Sequence, residues 1–238
     1  MTTHITIHTK ETATPRTFEC YWTTGSKQGV VETHINDSRI EDPAIVAELS
    51  ALHYLLSYRS ILGEGRAGKS VTISVSFGAI RRVVNRSSDK KHLFAHARFL
   101  GTRYSEAEIK VEKDGSWIRP EKANARREVL EVREPIEEIV DVAGYGKVAL
   151  SHHIIEQMMK RANYASVGAA WRHLCSMLGG KLRRVSLPQR VVEHKALKHG
   201  DLGCHLQAVN TPWFFVIGNN RPVCGARMPT LCTAYVRP

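Results

Sequence analysis

The sequence predicts an α/β module followed by a small α+β module. Two observations point there. The segment order reads β-β-β-α-β-α-(α)-β over the first 113 residues and two helices followed by strands over the last 91. Charge divides along the same line: residues 1–140 hold 21 basic and 19 acidic side chains, residues 141–238 hold 13 and 4. The chain totals +11 over 238 residues with a pI near 9.6. No internal repeat is present.

Residues 4–8 alternate as a half-buried strand does. Thr17–Thr24 and Gly29–Ile35 continue as two strands joined by the turn Gly25-Ser26-Lys27-Gln28. Asp42-Pro43 is a helix start, with Asp42 as the N-cap and Pro43 in the first turn. Ile45, Leu49, Leu52, Leu55, Leu56 and Leu62 recur at helical spacing, and Gly63, Gly65 and Gly68 end the run. Val71–Phe77 is dense in β-branched residues and reads as a buried strand. Gly78–Asn85 and His92–Thr102 read as helices, and Ala107–Glu112 as a strand.

Residues 114–147 are charge-dense and read as a connector. In the second module, 148–238, Ser151 starts a helix running to Ala162. Ser166 starts another that stops at Gly179-Gly180. Strands are expected at Lys181–Leu187, Arg190–Ala196, Gly203–Asn210, Trp213–Gly218 and Thr230–Val236, with Asn219-Asn220 as a hairpin turn.

With 42% hydrophobic and 24% charged residues, the composition is that of a globular chain and excludes a disordered tail. The longest apolar runs, such as Trp213–Ile217, fall far short of the roughly 20 residues a bilayer requires, so no membrane partner is expected. Five cysteines without CxxC spacing, after an N-terminus unlike a signal peptide, suggest a reducing, cytoplasmic setting. The spacing of structural zinc sites is absent; no metal and no cofactor is expected.

Gly63-Glu64-Gly65-Arg66-Ala67-Gly68-Lys69-Ser70 matches GxxxxGK[ST]. A phosphate-cradling loop needs a strand before it and a helix after it. Here the order is reversed, so a P-loop nucleotide hydrolase stands as the second alternative function only.

Ala47-Glu48-Leu49-Ser50-Ala51-Leu52 is similar to the helix of ribonuclease H-like proteins that carries a catalytic glutamate. Thr23-Thr24-Gly25-Ser26 resembles the strand end where that family has Asp-Gly-Ser, and Ser74-Val75-Ser76 the strand end where it has Thr-Asp-Ser. The resemblance spans residues 4–113 and implies a mixed sheet flanked by helices. It also implies an inactive site: Thr24 and Val75 or Ser76 stand where aspartates hold two metal ions, and Glu48 alone cannot hold them. The competing reading of Glu48 is an exposed helix glutamate.

In the second module, His152 and His153 lie four and three residues before Glu156, with Arg161 two turns beyond His153. That spacing places a general base and a phosphate clamp on one helix. Arg172, Arg183, Arg184, Arg190, Lys195 and Lys198 supply nucleic-acid-binding charge, with Arg183 and Arg184 on opposite strand faces. Histidines titrate near neutrality, so metal-free cleavage of RNA is chemically open, the 2′-hydroxyl being the nucleophile. The competing readings are an amphipathic helix that buries Ile154, Ile155, Met158 and Met159, and a basic surface that only binds. Trp171, Trp213, Phe214 and Phe215 read as core rather than base-stacking platforms.

Two helices, an antiparallel sheet and a last strand Thr233-Ala234-Tyr235-Val236-Arg237 resemble small ribonuclease toxins of the barnase, colicin and RelE type. The resemblance implies His153, Arg161, His205, Thr233 and Tyr235 as catalytic residues. The expected function is therefore RNA or other nucleic-acid binding by a basic C-terminal domain, with metal-independent endoribonuclease activity. The first alternative is a non-catalytic phage or mobile-element protein that binds and inhibits a host protein.

Overall fold

The computed structural model describes residues 3–25, 27–63, 68–151, 153–186, 189–190, 192–193, 197, 202–223 and 226–236; for 153, 202–203, 219–223 and 226–227 it describes the backbone alone. The chain divides into two compact units, Met1–Ile136 and Glu137–Pro238. Each holds one mixed six-stranded sheet with helices.

In the first unit, β1 (Thr3–Glu11), β2 (Thr17–Thr24) and β3 (Lys27–Ile35) form an antiparallel meander. β4 (Val71–Val75) lies parallel to β1, β5 (Glu108–Val111) parallel to β4, and β6 (Arg127–Val132) parallel to β3. The order is β5-β4-β1-β2-β3-β6. Period-two alternation sends Ile5, Ile7, Phe18, Cys20, Trp22 and Val31 to one face, where they meet Val46, Leu49 and Leu52 of α1 (Pro43–His53). Gly29 has no side chain because the Trp22 ring occupies that space: a Cβ would sit 2.7 Å from it.

Asp42 does not cap α1. It sits at φ 49°, ψ 52°, and its carboxylate instead accepts from Lys90 Nζ at 2.6 Å and His92 Nε2 at 2.8 Å. Charged donors outcompete the helix N–H groups for that carboxylate. The expected single helix to Leu62 ends at His53 and widens into a π-helical turn, Tyr54–Tyr58. Short helices follow: α2 (Gly78–Val84), α3 (Leu93–His96), α4 (Arg98–Gly101) and α5 (Pro120–Asn124).

The charged segment 114–147 is not a connector. It contains α5, β6, β7 (Glu138–Val142) and the start of β8 (Gly146–Leu150). β6 completes the first sheet and β7 pairs with β8 in the second. Leu130, Val132 and Val142 are buried while their charged neighbours face out, so charge density concealed a period-two pattern.

In the second unit, α6 (His153–Arg161) and α7 (Val167–Gly179) precede β9 (Leu182–Arg184), β10 (Leu202–Ala208), β11 (Trp213–Val223) and β12 (Ala226–Val236). The sheet order is β7-β8-β12-β11-β10-β9, and β8 joins β12 in parallel, so the sheet is mixed rather than wholly antiparallel. Ser166 accepts a hydrogen bond from the Ala169 N–H at 3.1 Å, the cap its sequence position implied. Residues 189–190, 192–193 and 197 are helical, not a strand. Asn219 and Asn220 lie inside β11, and β12 begins at Ala226. Ile154, Met158, Trp171 and Leu174 pack against Phe215, Ile217 and Leu231. Among the described residues no helix is long and apolar enough to cross a membrane.

Candidate functional site

The register of the second sheet places Arg183 opposite Gln207, Gln207 opposite Phe214 and Phe214 opposite Tyr235. The next row runs His205, Val216, Thr233. Residues directly opposite share a face, and so do residues two apart, so both rows lie on one face. Leu206, Phe215 and Ala234 alternate to the other, against α6 and α7.

Three of the five expected catalytic residues, His205, Thr233 and Tyr235, thus meet Arg183 on one surface. Arg183 donates to Gln207 Oε1 through Nε at 2.8 Å and Nη2 at 2.5 Å. That amide oxygen carries no charge, so the guanidinium keeps its own. Phe214 and Tyr235 stack with ring centroids 5.4 Å apart and planes 16° apart. Exposure grades across the face: Arg183 is exposed, Thr233 and Tyr235 are half-buried, and His205 and Phe214 are 7% and 6% exposed.

Arg161, at the end of α6, donates to the Ala234 carbonyl, between Thr233 and Tyr235 in β12. The bond ties the end of α6 to β12, on the helix-covered side of the sheet. His153 is the first residue of α6, and its side chain lies outside the described residues, as do Lys195 and Lys198 altogether. Arg184 takes the opposite face, with its guanidinium 5.7 Å from the Tyr145 ring centroid. Arg172 on α7 and the helical Arg190 are exposed and belong to neither strand row. Trp171, Trp213 and Phe215 are core, as the sequence implied; Phe214 belongs to the opposite face.

The first unit holds a separate buried cluster. Glu48 is fully buried on α1, not an exposed helix glutamate. Its carboxylate accepts from the Ser76 N–H at 2.7 Å, the Ser76 hydroxyl, the Thr9 hydroxyl and the Phe77 N–H. Burial pushes its pKa up, and these hydrogen bonds pull it back in part. The hydroxyl beside Glu48 from the first three strands is that of Thr9 on β1, whereas Thr24 ends β2. The Thr9 hydroxyl also lies 3.4 Å from Cys20 Sγ, an alternative acceptor for its single proton, and burial pushes that thiol up to about 12. Among the described residues no group of three His, Cys, Asp or Glu could hold a metal ion.

Gly68 of the GxxxxGKS match serves packing. A Cβ there would lie 2.7 Å from the Ala107 nitrogen and 2.8 Å from the Tyr104 carbonyl carbon. Lys69 is exposed, and β4 follows the loop where a phosphate site needs a helix.

Sequence reasoning missed Gln207 and Thr9. Each had a signal in parity: Gln207 is two residues from His205 on one strand, and Thr9 shares the parity of Ile5 and Ile7. No protein-family model, no curated protein and no solved structure matches this chain.

Proposed function

We propose that this protein binds RNA through its basic second unit and cleaves it without a metal ion. The observation that carries the reading is the cross-strand row that places Arg183, His205, Thr233 and Tyr235 on one sheet face. Charge supports it: residues 141–238 carry 13 basic and 4 acidic side chains. Arg183 meets a phosphate, and Tyr235 offers a ring to an unstacked base. In the cleavage step His205 takes the proton of the 2′-hydroxyl, whose oxygen attacks the adjacent phosphorus. The 5′-oxygen leaves and takes a proton from water. Arg183 neutralises the charge that develops on the phosphorane. The products are a 2′,3′-cyclic phosphate and a 5′-hydroxyl.

In the same reading the first unit is ribonuclease H-like and inactive. Its strand order is 6-3-2-1-4-5, and the 3-2-1-4-5 portion, with α1 between β3 and β4, supports that resemblance, while β6 beside β3 is an addition to it. The Thr9 and Ser76 hydroxyls that surround Glu48 support the loss of metal chemistry, since divalent ions need several carboxylate oxygens.

The test is incubation of the full chain with labelled single-stranded RNA, duplex DNA and RNA–DNA hybrid, first in EDTA and then in Mg²⁺. Binding requires only the accessible Arg183 and Tyr235, whereas cleavage requires a phosphate to reach His205, so gel shift and products are scored separately. RNA cut in EDTA, and lost with His205→Ala, supports the whole reading. A shift without products retains binding and removes catalysis. Neither shift nor product overturns both.

A further inference from the structure

The outer edge of β6 carries an inference independent of RNA. β6 ends the first sheet, and among the described residues no strand pairs with its outer side. The Asn36 N–H donates to the Val132 carbonyl and the Val30 N–H to the Arg126 carbonyl, so even-numbered residues turn their backbone groups toward β3. The N–H and C=O groups of Arg127, Val129 and Glu131 therefore point outward. An edge of this kind is a template for another strand. Val129, at its centre, is 59% exposed and one of three large exposed apolar side chains among the described residues.

We propose that β6 pairs antiparallel with β6 of a second copy of this chain, about a two-fold axis at Val129. Only outward-facing residues can exchange hydrogen bonds across such an edge, which restricts the register to odd residues opposite odd residues. Centred on Val129, the pairing sets Val129 against its own copy and each Arg127 against a Glu131. A shift by one step sets Arg127 against Arg133 in one direction and against Val129 in the other. A further step opposes Glu131 to itself or Arg127 to itself. The sequence Arg127-Glu128-Val129-Leu130-Glu131 is thus self-complementary in the centred register alone. Arg127 already bridges Glu19 and Glu32 and contacts Asn124, and Glu131 accepts from Asn36, so the cross-pair sets register more than strength. The attraction comes from the backbone bonds and from covering Val129. Such an isologous contact closes as a dimer and joins two six-stranded sheets into one.

Sedimentation or light scattering of the full chain over a dilution series tests this, with variants at the exposed Val129. Wild type is expected to dimerise. Val129→Asp and Val129→Lys are each expected to be folded monomers with a single cooperative melt that does not move with concentration, since like charges then meet on the axis. An equimolar mixture of the two is expected to regain the dimer, because Asp faces Lys. A wild type that stays monomeric at every concentration overturns the proposal and leaves the edge guarded or open to a foreign strand. A dimer that survives Val129→Asp, or a mixture that stays monomeric, overturns it too.

Discussion

Glu48 and Ser76 are joined twice: the Ser76 backbone N–H and its hydroxyl both donate to the one carboxylate. This pair of hydrogen bonds between α1 and the residue after β4 makes a buried acid structural. Removing it takes the acceptor away from the two Ser76 donors and the Phe77 N–H, and it opens a cavity where the fully buried Glu48 side chain stood. Glu48→Ala should lower unfolding stability by about 3 kcal/mol. Glu48→Gln should cost about 1–2 kcal/mol, since its NH2 group faces other donors. Urea titration measures both.

The ribonuclease H-like reading adds a metal test at the same cluster. The wild-type melting temperature should be the same in EDTA and in Mg²⁺. Thr9→Asp combined with Ser76→Asp places three carboxylates together, and its melting temperature should rise in Mg²⁺. No rise in the double variant would count against that geometry.

Acid should weaken the first unit through His53 and His96. The His53 ring stacks on Phe99 at 4.4 Å between centroids, and His53 Nε2 and His96 Nδ1 are buried with no hydrogen-bond partner among the described residues. Burial, then Arg103 and Arg98, hold His53 near pKa 3; burial, then His92, holds His96 near 4. The unfolded histidines take up protons at about 6.5 while the folded ones stay neutral. Their contribution is complete above that value and is lost as pH falls from it toward the folded values. Each should add about 1 kcal/mol per pH unit to the slope between pH 6 and 4. Glu48, whose pKa is raised, opposes this slope above its unfolded value. His53→Phe should remove one proton from the slope, read from urea midpoints at pH 7 and 5.

RNA binding should depend on salt and on the aromatic row. Arg183→Gln should make the slope of log K against log salt shallower by about 0.7 if the partner is single-stranded. Tyr235→Ala should cost about 1–3 kcal/mol and leave the salt slope unchanged. Filter binding at several salt concentrations separates the two.

Gly68→Ala should destabilise the first unit by about 1–3 kcal/mol, because the added methyl meets the backbone of Tyr104 and Ala107. Lys69→Ala, at an exposed position, should leave the melting temperature unchanged. The reverse pattern, with nucleotide hydrolysis lost on Lys69→Ala, would favour a phosphate-binding loop.

Several features were legible without coordinates. Alternation at Ile5 and Ile7, at Phe18, Cys20 and Trp22, and at Val71, Ile73 and Val75 is enough to mark the strands. Helical spacing from Ile45 to Leu52 and the Ser166 cap are equally local. The reversed order around Gly63–Ser70 already argued against a phosphate loop. These signals reside in residues within a few positions of one another, where propensity and period decide. Tertiary structure decided what lies far apart in the chain. It set Thr9 rather than Thr24 beside Glu48, sent Asp42 to Lys90 and His92 instead of its own helix, and drew residues 127–132 into the first sheet. It also aligned Arg183 with Tyr235 across four strands. Such pairings depend on strand register, and register is settled only when burial of one face across the whole sheet selects a single alignment from those the local pattern allows.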